Sequence, residues 1–430
     1  MYKRQRLSKA HAAAGEHHDA LEVAEDLVGR VAAEDHVEPS RADRGRALAN
    51  LGNRLSGVGR RADALAPTEE AVTIYQELAA TDPAFRPDLA GSLNNLGIRF
   101  SELGRRADAL GPTEEAVTIY RQLGATNPAS RPDLAGSLTN LGVSLGELGR
   151  RAEALAPTEE AVAIYRELGA TNPAFRPDLA TSLNNLGNRL SELGRRAEAL
   201  APTDEAVTIR RELAAANPAF RPDLATSLTN LGSRLSELGR RAEALAPTEE
   251  AVTLYRELGA TNPAFRPDLA RSLNNLGIRF SELGRRADAL GPTEEAVTIY
   301  RELAANPAFR PDLAASLNNL GVVLSGLGRR AEALDPTEEA VTIYRELAAA
   351  NPAAFSAGLA RSLGNLSARV NDVGRHDEAI GPARESVALW RALAGVDPTF
   401  FADDLGRAEK ALDRLQNHHP QAPEGAATTD

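Results

Sequence analysis

The residues best able to do chemistry in this chain recur at a fixed interval. An asparagine stands at Asn50, Asn95, Asn140, Asn185, Asn230, Asn275, Asn319 and Asn365. A primary amide both donates and accepts, so such a ladder suits the backbone of an extended peptide, whatever its sequence. It suits equally a bond to a neighbouring helix of the same chain, and spacing alone leaves both readings open. A second ladder runs through Arg54, Arg99, Arg189, Arg234, Arg279 and Arg369, and is interrupted at Ser144 and Val323. Guanidinium groups in a row could draw acidic side chains or a terminal carboxylate. Arg99 also stands three residues before Glu102, so an ordinary i,i+3 pair accounts for it as well.

Other chemistry finds little material. The sequence has no cysteine, which removes disulfides, thiolate catalysis and cysteine-bound zinc. Its seven histidines, His11, His17, His18, His36, His376, His418 and His419, all fall outside the regular interior. A metal needs several ligands converging on one point, so no metal and no cofactor is expected. The doublet Glu114-Glu115 recurs, but carboxylates repeated along a helix face read as solvent charges; acid–base work needs a placed pair in a drier cleft. There is no Gly-rich phosphate loop, no G-x-S-x-G and no H-E-x-x-H. The expectation is a chain without enzymatic activity.

Composition narrows the class further. The 430 residues carry 49 Lys and Arg against 60 Asp and Glu, a net charge of −11. That balance argues against nucleic acid, which needs a concentrated positive footprint. No stretch is long and apolar enough to span a membrane, and the basic start MYKRQRLSKAHAAAG leads into no apolar run. A cytoplasmic protein is expected. Apolar residues make up 43% and aromatics 4%, so any core is built from Leu and Ala.

The elements that must position these residues are repeats. RPDLA starts at Arg86, Arg131, Arg176, Arg221, Arg266 and Arg310. The aromatic of AVTIY falls at Tyr75, Tyr120, Tyr165, Tyr255, Tyr300 and Tyr344, with Arg210 in the missing place and Trp390 closing the series. Eight units of about 45 residues span 41–400. In the second copy, Leu89, Leu93, Leu96, Phe100 and Leu103 form one stripe of a 3.6-residue period, which predicts a first helix over about 87–103. Pro87 and Asp88 suit its first turn and Gly104 its left-handed end. Ala109, Thr113, Ala116, Tyr120 and Leu123 predict a second helix over about 106–124, antiparallel to the first because the turn is so short. Asn127-Pro128 ends the unit.

Pro112 recurs inside the second helix, as Pro67, Pro157, Pro202, Pro247, Pro292, Pro336 and Pro382. An interior proline loses a hydrogen bond and clashes with the carbonyl four residues back, so a bend is expected in every copy. One hairpin leaves an apolar surface open until the next docks, so stability is expected to accrue by stacking. Gly97 returns in seven copies although a helical glycine costs up to about 1 kcal/mol, which points to a tight contact. Phe85, Phe175, Phe220, Phe265, Phe309 and Phe355 are expected to cover helix ends from the linkers; Ser130 interrupts that series, so its joint is expected to be weaker. Residues 1–40 read as a degenerate N-terminal capping repeat. Residues 401–416 read as a C-terminal capping helix and 417–430 as a disordered tail.

Leu96-Gly97, Phe100, Gly104, Ala109 and Ala116 follow a recognisable spacing: a Leu-Gly pair, an aromatic, then small residues on the second helix. The pattern resembles the tetratricopeptide repeat, in the long-helix variety of kinesin light chains and of actinobacterial regulatory arrays, with SLNNLG and EEAVTIYREL carrying the likeness over about 15–416. It departs at Thr113, where a bulky residue is common, and at the recurrent proline. HEAT-type repeats share the length but fit the helix markers less well. The resemblance implies an all-α solenoid of stacked antiparallel helix-turn-helix units, and a scaffold whose first helices line a concave groove holding protein or peptide segments. Against that frame, Asn95, Asn140, Asn185, Asn230, Asn275 and Asn319 become candidate peptide contacts, with Arg189 and Arg234. Positions that vary between copies are candidates for specificity. One reads Asn53, Ile98, Val143, Asn188, Ser233, Ile278, Val322 and Ala368; the other reads Ala49, Asn94, Thr139, Asn184, Thr229, Asn274, Asn318 and Gly364. Two other functions fit the repeats. One is a sensor arm controlling a partner ATPase, protease or transcription factor, consistent with a chain derived from a larger regulator. The other is self-association through near-identical faces.

Overall fold

The computed structural model describes residues 40–417. The expected capping repeat over 1–40 and tail over 417–430 lie outside them, apart from Ser40 and Asn417. The described residues form two compact units, divided after Gly239. The first contains α1 (Arg41–Gly57), α2 (Leu65–Thr81), α3 (Arg86–Glu102), α4 (Arg106–Thr126), α5 (Arg131–Glu147), α6 (Arg151–Thr171), α7 (Arg176–Glu192), α8 (Arg196–Ala216) and α9 (Arg221–Glu237). The second contains α10 (Arg241–Thr261), α11 (Arg266–Glu282), α12 (Arg286–Leu303), α13 (Arg310–Gly326), α14 (Leu334–Ala350), α15 (Pro352–Asp372), α16 (His376–Val396) and α17 (Pro398–Asn417). No strand occurs among the described residues. Within each unit every helix packs on the next, and the first helices of successive repeats also touch one another.

Local chemistry sets the boundaries. The turn after α3 is closed by Gly104 at φ +74°, with the Arg105 N–H donating to the Phe100 carbonyl at 2.9 Å and the Gly104 N–H to Ser101 at 3.0 Å. This double bond satisfies the last carbonyls of the helix and needs a residue free to take positive φ. The same glycine serves at Gly59, Gly149, Gly194, Gly239, Gly284, Gly328 and Gly374. At the other end Asn127 stops α4, and its side chain accepts from the Ala129 N–H at 3.1 Å to start a 3-10 turn, Pro128–Ser130. The Asn-Pro pair is thus both a stop and a cap. Observed limits differ from the expected ones by one or two residues, which is the normal fraying of helix ends.

The proline finding divides. The second helix runs unbroken through Pro112, Pro157, Pro202, Pro247, Pro292 and Pro382. In the first and seventh copies it begins only at Leu65 and Leu334, so Pro67 and Pro336 fall in its first turn, where a missing N–H costs nothing. Those are the copies whose first helix ends on glycine, Gly57 and Gly326.

The core is made as the stripes require. Leu89, Leu93, Leu96 and Phe100 are buried on α3; Ala109, Ala116, Val117, Ile119 and Tyr120 are buried on α4. Leu103 is only half-buried, because it is the cap residue. The recurrent glycine has a direct cause. A Cβ on Gly97 would lie 2.2 Å from the Thr113 Oγ1 and 3.1 Å from the Ala109 carbonyl oxygen. Thr113 is itself buried and donates its hydroxyl to that carbonyl at 2.7 Å. The same crossing occurs at Gly52 with Thr68, Gly142 with Thr158, Gly187 with Thr203, Gly277 with Thr293 and Gly321 with Thr337. The eighth copy exchanges the two parts: Ser367 replaces the glycine and Ala383 the threonine. The Ser367 Oγ now donates across the hairpin to the Ala379 carbonyl at 2.8 Å. One hydroxyl fits at the crossing, from either helix.

The repeated tyrosine ties the hairpin at its other end. Its hydroxyl donates to the start of the first helix, from Tyr75 to the Ala42 carbonyl at 3.2 Å, Tyr300 to Pro267 at 3.2 Å and Tyr344 to Pro311 at 3.3 Å. Burial pushes the Tyr120, Tyr165 and Tyr300 hydroxyls far above the ordinary tyrosine range, with nearby aspartates adding to the effect, so they stay protonated donors. The linker aromatics pack here, with Phe85 6.5 Å from Tyr75 and Phe175 6.5 Å from Tyr165 between ring centroids. In the fourth copy Arg210 takes the tyrosine's place, 3% exposed. Its guanidinium reaches Asp223 at 3.1 Å and the Thr181 hydroxyl, while burial lowers its pKa and its Nε finds no partner.

Two outcomes follow in urea unfolding. Gly187→Ser alone forces a second hydroxyl into the crossing and is expected to cost about 1–3 kcal/mol; adding Thr203→Ala is expected to recover most of it. Arg210→Tyr replaces a buried ion pair with packing and a bond to the Pro177 carbonyl, and is expected to raise stability by about 1 kcal/mol or more. A lower midpoint for Arg210→Tyr would contradict the second.

Candidate functional site

The first helices share one face in each unit, and its polar residues divide into two rows. The first row holds Asn94 and its equivalents, expected to vary with the partner. The structure turns these into the joint between repeats instead. Asn184 Nδ2 donates to Ser227 Oγ at 2.6 Å, Asn318 Nδ2 to Ser362 Oγ at 2.5 Å, and Asn274 Nδ2 to Ser316 Oγ. Thr139 Oγ1 lies 3.3 Å from Ser182 Oγ. All four serines are almost fully buried. At these four joints the position holds a residue that reaches a serine of the following first helix, whereas Thr229 bonds its own Ala225 carbonyl and Asn94 accepts from Asn140. The serine recurs within SLNNLG, and that recurrence beside an invariant Leu was the available signal for it.

The second row holds the expected peptide contacts. Asn95, Asn140, Asn185, Asn230, Asn275 and Asn319 are all half-buried. Asn140 is engaged inside the scaffold, donating to the Asn94 Oδ1 of the preceding repeat at 3.0 Å. Asn365 makes the corresponding approach to Asn318 at 3.5 Å. The remaining five of the expected contacts make no side-chain hydrogen bond among the described residues. Ile98, Asn188 and Ser233 sit one turn further along, half-buried on the same face. Their equivalent Val322 is 43% exposed.

Apart from the exposed Arg54, the arginines are closed into internal pairs. Arg99 meets Glu102 at 2.8 Å, Arg189 Glu192 at 2.8 Å, Arg234 Glu237 at 2.9 Å and Arg369 Asp372 at 3.6 Å, with 7–15% of each arginine side chain exposed. Burial lowers the pKa of Arg99, Arg234 and Arg369, and their carboxylate partners oppose it. A serine of the preceding repeat adds to several carboxylates: Ser56 to Glu102 at 2.8 Å, Ser191 to Glu237 at 2.6 Å and Ser325 to Asp372 at 2.8 Å. Each such group links a repeat to the one before.

The arginines also reach backward. Arg99 Nη2 approaches Asn53 Oδ1 at 3.5 Å, and Arg189 lies over Gly146, where an added Cβ would fall 1.5 Å from its Nη1. Where the ladder is interrupted, the space is open. A cavity of about 290 Å³ between α3 and α5 is lined by Ile98, Asn140, Val143, Ser144, Glu102 and Glu147. One of similar size between α11 and α13 is lined by Ile278, Asn319, Val322, Val323 and Glu282. The interruptions are visible in the sequence, whereas the cavities depend on how one hairpin sits on the next.

On the opposite, outer side, the second glutamate of the recurring doublet pairs with an arginine of the preceding second helix. Arg121 meets Glu160 at 2.6 Å, Arg166 Glu205 at 2.6 Å and Arg301 Glu339 at 2.5 Å, all well exposed. Among the described residues no three of His, Asp and Glu gather as a metal would need. His376 bonds Asn371 at a helix turn, at 2.6 Å; the other histidines lie outside the described residues. No described helix is long and apolar enough to cross a membrane.

Comparison with known proteins concerns the fold and the family. No curated protein matches the chain. Among solved structures, RapI in its apo form superposes with a TM-score of 0.52 at 12% identity, over 87% of this chain and 99% of that one. BtubC (BKLC) from P. vanneervenii gives a TM-score of 0.43 at 20% identity, over 65% of this chain and 98% of that one. A kinesin light chain of nearly identical repeats from Podosopora anserina gives 0.41 at 21%, over 52% and 99%. The sequence profile of the tetratricopeptide repeat matches residues 45–83, 89–123, 134–168, 179–217, 224–258, 269–304, 313–351 and 359–399. With a match in every one of the eight hairpins, the chain belongs to the tetratricopeptide-repeat family.

Proposed function

We propose that this chain is a non-enzymatic scaffold that holds an extended segment of a partner protein along the face lined by its first helices. The observation that carries the reading is the row of half-buried amides at Asn95, Asn185, Asn230, Asn275 and Asn319. They face the same side in each unit and are tied to no other side chain. A peptide backbone presents alternating donors and acceptors, which a primary amide can meet without regard to sequence. Discrimination would then come from Ile98, Asn188 and Ser233, one turn along. Arg189 and Arg234 hold their own carboxylates and contribute by fixing the joint, with what remains exposed of each guanidinium available to a polar partner group.

The scaffold is suited to this task because its own cohesion does not use these amides. Capture of partners from the native lysate by the wild-type chain is the test, set beside the Asn185→Ala/Asn230→Ala variant. The double variant is expected to keep its helicity and urea midpoint within about 0.5 kcal/mol, since neither amide is bonded internally. It is expected to lose one discrete partner. An unchanged partner list would sink the reading.

A further inference from the structure

The arginine ladder shows what its vacant place was shaped for. At the joint of α7 and α9 the guanidinium of Arg234 has two carboxylates within electrostatic reach, Glu237 on its own helix and Glu192 on the preceding first helix. Burial lowers the Arg234 pKa and both carboxylates oppose that shift, and Arg189 lies across Gly146 of the preceding helix while pairing with Glu192. Between α3 and α5 both carboxylates are present, as Glu102 and Glu147, but Ser144 stands where the arginine would be. Glu147 is left with Arg106, whose Nε is 3.8 Å away. Glu102 keeps Arg99 and Ser56. The cavity of about 290 Å³ is floored by Gly97 and Thr113 and walled by Ile98 and Val143. It lies at the bottom of the size range of small-molecule sites and suits one long side chain.

We propose that this cavity seats an arginine side chain supplied by the bound peptide, with its guanidinium bracketed by Glu102 and Glu147 and its stem against Ile98 and Val143. The assignment rests on the groove reading above. Charge complementarity favours it, because two carboxylates line the cavity and the chain carries a net −11. Arginine suits the bracket better than lysine, since its planar fork can address two acceptors at once. The cavity between α11 and α13 is different: Val323 takes the arginine's place and Gly326 the second carboxylate's, so the bracket is missing and no arginine seat is assigned there.

The test uses the full chain and short fluorescein-labelled Gly/Ser peptides, each with one central Arg, Lys, Leu or citrulline, read by fluorescence anisotropy. The Arg peptide is expected to bind about tenfold more tightly than the Leu and citrulline peptides. Ser144→Arg, which restores the ladder and fills the seat from within, is expected to abolish that advantage, as is Glu147→Gln; circular dichroism checks that each variant is folded. The proposal is overturned if the Leu peptide binds as tightly as the Arg peptide. It is also overturned if no peptide binds at millimolar concentration, or if Ser144→Arg leaves the Arg peptide's affinity unchanged. Retention of the native partner by Ser144→Arg, with its loss in Asn185→Ala/Asn230→Ala, overturns the seat while leaving the groove reading intact.

Discussion

The structure depends on how closely two helix backbones approach at one crossing. There a first-helix residue without a side chain faces a threonine hydroxyl and an alanine carbonyl of the second helix. The close approach lets small residues such as Ala90, Ala109 and Ala116 fill the interior completely, each with no exposed surface. A core so poor in aromatics would be loose if the axes stood further apart. The eighth copy shows that the constraint is on contents and not on residue type: Ser367 and Ala383 deliver the same single hydroxyl with the helices exchanged.

Much of the fold was legible because period and stripe are both one-dimensional. Equal intervals revealed the repeats. The 3.6-residue spacing gave the buried face, and Gly104 and Asn127-Pro128 gave the ends to within two residues. What a sequence does not carry is the rotation of one hairpin on the next. Asn184 and Asn185 are adjacent and both lie off the apolar stripe, yet Asn184 donates to the buried Ser227 of the following repeat while Asn185 makes no side-chain bond among the described residues. Their chemistry is identical, and only the joint separates them. The arginines were similarly ambiguous, because an i,i+3 pair is visible in sequence whereas the reach over Gly146 is not.

Arg210 marks where copying and packing part company. Its place demands a buried group that donates to the neighbouring helix, and a guanidinium meets that demand with Thr181 and Asp223. It does so as a charge taken from water, with one nitrogen left over. A repeat array tolerates this because each hairpin answers mainly to its neighbours, so the disturbance stays at one joint.

The two sides of each unit are fastened by unlike forces. On one, first helices meet through buried serines, amides and shielded arginine–carboxylate pairs. On the other, successive second helices are bridged by long, hydrated side chains such as Arg121 with Glu160. Mobile ions weaken the latter and hardly touch the former. Each unit is thus built like a hinged strip, firm along the edge of its first helices and yielding along the edge of its second helices.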